Sequence, residues 1–379
     1  MFEISIGRIP AITGSAGATN DLASHLAALS DSRKVALMAD PALEAGGQLR
    51  RILAALEEAG FETLPIVLPP GEPKERLVDA AVAQVRTFAA GAMVCLGGGS
   101  AMDAGKVVAN LAPAGEGVAS YRLAAQPMPR ERLPLICAPT TAGTGAEATA
   151  VSVLSSPEGV KYWFWANSLK PDLILHDPAL AVGLPAAVTA ATGVDALVHA
   201  IEAATNANAT PTNNIFAYRA IELVATWLPV AVRTPSDLEA RARMLEAATF
   251  AGVAIDNAGT AIAHNIGHAL GSLAPVPHGR AVAIGMCATL AWNVEANAHV
   301  YEPVARAMGV AGGAGALPAA FNAFVRSLGV DLKVAGVAAD QLARQMAEPE
   351  NAAMLQSNRR PATPEDLIRH AAAAVALAD

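Results

Sequence analysis

The chain has 379 residues, 53% of them hydrophobic and 16% charged, with a formal net charge of −8. That composition supplies buried cores for two domains and excludes a disordered chain. No run of Lys or Arg occurs, so nucleic acid and anionic membranes are not expected partners, and a small neutral or modestly charged molecule is.

The N-terminal MFEISIGRIPAITG has an acid, Glu3, and no basic stretch leading into an apolar one, so no secretory signal is expected. Cys95, Cys137 and Cys287 are odd in number and widely spaced in apolar runs. They read as free thiols of a reducing cytoplasm. The longest strongly apolar segment, 281–292, is shorter than the ~20 residues that cross a bilayer and reads as a core helix.

In the first half, short aliphatic runs alternate with helical patterns, the mark of a parallel sheet built from strand–helix–strand units. Strands are predicted at 34–39, 62–68, 92–96 and 133–138, with helices at 43–59, 76–90 and 103–111. After about Pro185 the chain turns Ala-rich with helical periodicity and few β-branched runs, which predicts an all-helical second domain. The expected domains are 1–185, α/β, and 186–379, helical.

Three stretches of the first half suit a polar ligand. Gly97-Gly98-Gly99-Ser100 lies between a buried strand and a helix, where backbone N–H groups and the helix N-terminus can approach a phosphate. The G-x-G-x-x-G fingerprint is absent, and the acid Asp40 precedes the glycines instead of following them by about 20 residues. Asp40 ends its strand at the sheet edge where such folds bind ligands, or simply starts a turn or helix at Pro41. PTTAGTGAE at 139–147 follows another strand and is dense in small and hydroxylated residues.

The second half holds the most specific pattern. His264, His268 and His278 fall in AIAHNIGHALGSLAPVPHG, the first pair four apart and so on one helical face, the third in a Pro/Gly-marked loop. Upstream, Asp195 and His199 are again four apart among apolar residues. A buried carboxylate needs a partner such as a cation. One carboxylate with up to four imidazoles and no thiolate suits Fe(II), Zn(II), Co(II) or Mn(II). Spacing alone leaves either His264 or His268 free to be a ligand.

Taken together, Gly97 to Ser100 with Asp103 and Lys106, PTTAGTGAE, TAATGVDALVHAIEA at 189–203, HNIGHALGSLAPVPHG at 264–279 and the C-terminal SNRRPATPEDL resemble the iron-containing (group III) alcohol dehydrogenases. The resemblance runs over nearly the whole chain. It implies a dinucleotide-binding α/β domain and an all-α domain, in a dehydroquinate synthase-like architecture, with metal and substrate in the cleft between. It places metal ligands on Asp195, His199, His264 and His278, and puts His268 near the nicotinamide as the catalytic histidine. It assigns Asp40 to NAD preference, Gly97, Gly98, Gly99 and Ser100 to the pyrophosphate, and Asp103, Thr140, Thr141, Thr144 and Lys161 to cofactor contacts. Gly71 and Ile255 depart from residues common in the family, which bears on substrate identity. The resemblance therefore implies reversible hydride transfer between NAD(H) and a primary alcohol or aldehyde, with Fe2+ or Zn2+, in a cytoplasmic homodimer or higher homo-oligomer. A maleylacetate reductase-like or hydroxy-acid dehydrogenase, or a metal-dependent lyase or hydrolase, is the alternative.

Overall fold

The computed structural model describes residues 6–377, so Glu3 and the two C-terminal residues lie outside the described residues. The chain divides into two compact units: Arg8–Thr141 with Ala146–Gly183, and Leu184–Asp379 with Met1–Gly7 and Ala142–Gly145. The segment Ala142–Gly145, predicted within the first domain, thus clusters with the helices.

In the α/β unit the strands are β1 (Ala11–Gly14), β2 (Lys34–Ala39), β3 (Glu62–Val67), β4 (Ala92–Gly97), β5 (Leu135–Pro139), β6 (Val151–Ser155), β7 (Lys161–Trp165) and β8 (Leu173–His176). Six of them form a parallel sheet in the order β1-β8-β5-β4-β2-β3, and β6 and β7 make an antiparallel pair. The central strands are buried on both faces, and the period of two divides their side chains. Ala36, Met38, Met93, Cys95, Leu135 and Cys137 enter one core, while Val35, Leu37, Val94, Leu96, Ile136 and Ala138 enter the other.

Helices cover both faces: α1 (Leu22–Leu29), α2 (Pro41–Ala45), α3 (Gln48–Glu58), α4 (Glu75–Phe88) and α5 (Gly99–Leu111). Leu22, Leu26, Leu49, Ile52 and Leu56 of α1 and α3 fill one core; Val78, Val82, Val85, Met102 and Val107 of α4 and α5 fill the other. Two predictions change here. The single helix predicted at 43–59 is broken at Gly46 and Gly47 into α2 and α3, and α5 starts at Gly99, four residues before the predicted 103. Strands β1, β6, β7 and β8 are not among the predicted ones.

The helical unit runs α6 (Ala186–Thr205), α7 (Pro211–Arg233), α8 (Leu238–Ala258), α9 (Ile262–Leu273), α10 (His278–Ala307), α11 (Gly313–Ser327), α12 (Ala339–Met346), α13 (Ala352–Ser357) and α14 (Pro364–Val375). Its core is built mostly of Ala, Val, Leu and Ile from α6 to α10. Small Ala side chains let helix axes approach closely, and most residues of α6 are buried. Segment 281–292 lies inside α10 as predicted, but α7 is the longer apolar stretch. Among the described residues α7 is the one helix long and apolar enough to cross a membrane, with mean hydropathy 1.5. Its Ala217, Ala220, Ile221, Val224 and Leu228 face the helical core, and its Arg219–Glu222 pair is exposed.

Candidate metal centre

Asp195, His199 and Glu202 occupy positions i, i+4 and i+7 of α6 and so share one face; all three are buried. His264 sits in the first turn of α9. His278, predicted in a loop, is the first residue of α10. It reaches the others because α10 meets α6 at Gly279, where a Cβ would stand 2.3 Å from the Ala191 carbonyl oxygen and 3.2 Å from Asp195 Cβ. A side chain at 279 would clash with the Ala191 carbonyl unless the two helices shift.

Asp195 Oδ1 lies 3.9 Å from His199 Nδ1, 3.6 Å from His264 Nε2 and 3.7 Å from His278 Nε2. One ligand atom from each of the four residues falls within 4.8 Å of the others. Donors held ~2.1 Å from a tetrahedral ion are about 3.4 Å apart, a few tenths of an ångström closer than these. The His199 and His264 rings stack with centroids 4.2 Å apart. Asp195 Oδ1, His199 Nδ1 and His264 Nε2 are buried without any hydrogen-bond partner. Each such orphan costs about 1–3 kcal/mol, and three on one spot are what a divalent cation would satisfy. The mixed N and O donor set fits Fe(II) or Zn(II).

Charge in the cluster is unevenly held. Burial opposes a charge on His264, yet Glu202 and Asp195 beside it push it up to about 9. Burial pulls His199 down to about 3, with Asp195 opposing. For Asp195 burial works against ionisation, and His199, His278 and His264 outweigh it, holding the carboxyl well below the usual range.

Glu202 escapes the sequence prediction. Its Oε2 accepts from Ala261 N at 2.7 Å and from His264 Nδ1 at 2.6 Å, and its Oε1 accepts from Ala263 N at 2.7 Å. The signal was present: Glu202 lies three residues after His199 and seven after Asp195, on their helix face. His268 is half-buried, with its ring centroid 6.5 Å from that of His264 and 5.4 Å from that of His278. It does not belong to the group of four, so the geometry separates two histidines that spacing could not.

In the α/β unit the carboxyl ends of β2, β4 and β5 bring Asp40, Gly97, Gly98, Thr140 and Thr141 together. Asp40 N donates to Leu96 O at 2.9 Å and Thr140 N to Gly97 O at 2.8 Å. At Gly97 a Cβ would come within 2.8 Å of Asp40 Cβ, and one at Gly98 within 3.1 Å of Thr141 Oγ1. No side chain caps the N-terminus of α5 after Gly98, which leaves a helix end suited to an anion. Asp40 does start a helix, accepting from Ala42 N at 2.8 Å as the cap of α2. Ser100 Oγ donates to Gly71 O at 3.2 Å.

Asp103 of α5 lies against β6, and Lys161 is the first residue of β7. Asp103 Oδ2 accepts from Val153 N at 3.1 Å, and Lys161 Nζ is 2.8 Å from Glu72 Oε1. Burial raises the Asp103 carboxyl to about 6 against the pull of Lys106. Thr144 belongs to the segment Ala142–Gly145 of the helical unit.

The model of the iron-containing alcohol dehydrogenases matches residues 10–178, and that of the Fe-containing alcohol dehydrogenase family, C-terminal, matches 189–375. Over 273 residues the chain is 38% identical to the probable alcohol dehydrogenase EutG of Salmonella typhimurium (strain LT2), covering 72% of this chain and 69% of that one. It is 36% identical to the 1,3-propanediol dehydrogenase of Klebsiella pneumoniae, covering 73% and 72%. The structure of sulfoacetaldehyde reductase from Bifidobacterium kashiwanohense in complex with NAD+ matches at 26% identity and a TM-score of 0.88, over 99% of both chains. The chain belongs to the iron-containing alcohol dehydrogenase family and is a metal- and NAD(H)-dependent oxidoreductase acting on alcohols.

Proposed function

We propose that the enzyme interconverts a primary alcohol and its aldehyde, and that Asp195, His199, His264 and His278 hold its single divalent ion. The observation that carries this reading is the convergence of three partnerless buried ligand atoms, from Asp195, His199 and His264, on one spot beside His278. The family is iron-containing, and the same donor set also accepts Zn(II). When bound, the ion supplies Lewis acidity toward the substrate oxygen and the nicotinamide supplies or takes the hydride.

The chain's own residues do the rest. The uncapped N-terminus of α5, with Gly97, Gly98, Gly99 and Ser100, offers backbone N–H groups to the pyrophosphate. Asp40 accepts from the ribose hydroxyls and repels a 2′-phosphate. Asp103, Thr140, Thr141, Thr144 and Lys161 contact the cofactor, Lys161 with its charge balanced by Glu72. His268, half-buried and one helical turn beyond His264, receives the alcohol proton on its imidazole and passes it to solvent. A homo-oligomer in the cytoplasm is part of the reading. Exposed Ile9, just before the edge strand β1, exposed Ile12 within it, and three free cysteines support it.

Absorbance at 340 nm with a panel of alcohols, run on metal-loaded and metal-stripped protein, tests the reading. Turnover of a primary alcohol that disappears with the metal is expected. Full activity after stripping would overturn the metal assignment.

A further inference from the structure

The structure assigns Glu202 a function that the family resemblance did not supply: it is a positioning residue that fixes His264 as a metal ligand. The inference rests on the metal-site reading above. The two nitrogens of an imidazole are not independent, because the hydrogen bond at one decides whether the other presents a lone pair. Here Nδ1 is 2.6 Å from Glu202 Oε2, so His264 donates Nδ1–H to the carboxylate and Nε2 is left facing Asp195 Oδ1 at 3.6 Å. The same carboxylate holds the backbone that carries the ring. Ala261, the residue before α9, provides no side-chain cap, and Glu202 accepts from both Ala261 N and Ala263 N instead. Ring rotation, tautomer and helix start are thus set by one buried group.

The turn that carries Glu202 is itself held from outside by the SNRR stretch of the C-terminal motif. Arg359 donates to Thr205 O at 2.9 Å and to Asn206 O at 2.6 Å, and Ala207 N donates to Ser357 O at 2.8 Å. Asn206 Nδ2 in turn donates to Ala258 O and Gly259 O, both at 2.8 Å. The ends of α6 and α8 are tied together just ahead of the turn where α9 begins. A Gln at 202 has the same shape but one acceptor oxygen, so its amide nitrogen would face a donor whichever way it is placed.

The test titrates Zn(II) into metal-stripped wild type, Glu202→Gln and Glu202→Asp in competition with a chromophoric chelator, with circular dichroism to verify folding. Both variants are expected to bind Zn(II) about 10- to 100-fold more weakly, the Asp variant because its shorter carboxylate cannot reach all three donors. NADH affinity should stay within about twofold, and the Co(II)-loaded proteins should show shifted d–d bands. A folded Glu202→Gln protein with wild-type metal affinity and unshifted Co(II) bands overturns the inference while leaving the metal site intact. Wild type that binds no stoichiometric metal overturns both. Should the variants fail to fold, histidine-selective 15N spectra of zinc-loaded wild type decide: metal on Nε2 with a protonated Nδ1 at His264 supports the inference, and the reverse tautomer overturns it.

Discussion

His264 and His268 are one helical turn apart, yet only His264 places a nitrogen within reach of Asp195, His199 and His278. The two alanine variants should therefore fail differently. His264→Ala should purify metal-depleted, since three protein ligands hold the ion less well than four. His268→Ala should retain stoichiometric metal and turn over ~10²- to 10⁴-fold more slowly with an altered pH profile. Metal analysis of both proteins checks this, and a depleted His268→Ala beside a replete His264→Ala would reverse the roles. Asp40 offers a second test at this scale. Because its carboxylate also caps α2, Asp40→Ser keeps a cap while removing the charge proposed to repel a 2′-phosphate. The NAD-over-NADP ratio of kcat/KM should fall about tenfold, a change of ~1.4 kcal/mol, with little change in Tm. An unchanged ratio would leave Asp40 only its capping role. Asp195 and the histidines were legible as candidates because their chemistry sits in side-chain type and helical spacing, although spacing left His264 and His268 interchangeable and only the family resemblance chose between them. Glu202 shares their helix face by spacing, but its role was not legible, because two of its three partners are backbone N–H groups about sixty residues away, and a backbone donor has no sequence signature.

Among the elements, the ones read most closely are those whose environment is uniform. Strands β2 and β4 are buried on both faces and appear as unbroken aliphatic runs. The edge strand β1 is exposed throughout and so has no buried face to mark it, and the β6–β7 pair lies outside the main sheet. Helical periodicity continues through Gly46 and Gly47, where the chain actually stops α2 and restarts as α3. The approach of α10 to α6 is another feature carried by backbone. Gly279→Ala should force the Cβ against the Ala191 carbonyl, destabilise the protein by about 1–3 kcal/mol and weaken metal binding through displaced His278. Thermal unfolding and metal titration of that variant check it; a fully stable, fully loaded protein would show that the contact relaxes at no cost.

For the whole molecule, acid should reveal the cost of burying imidazoles. Burial pulls His176, at the end of β8, from 6.5 down to about 4. A group so depressed binds its proton more readily in the unfolded chain, so its contribution to stability is fully present above pH 6.5 and is lost as pH falls toward about 4. His176→Asn should flatten that part of the pH–stability curve by ~2 kcal/mol, allowing for partial solvent access. Chemical unfolding at a series of pH values measures it, and an unaltered curve would show that His176 binds its proton equally well in the folded and unfolded chains.

The tests on His264, His268, Gly279 and Glu202 lean on one claim, that Asp195, His199, His264 and His278 bind a single ion. A crystal structure of the metal-loaded enzyme, with diffraction recorded on both sides of the iron and zinc absorption edges, addresses it directly. One anomalous peak is expected, bounded by Asp195 Oδ1, His199 Nδ1, His264 Nε2 and His278 Nε2, with His268 outside its coordination. A peak elsewhere in the chain, or a peak that takes His268 in place of His264, would contradict it.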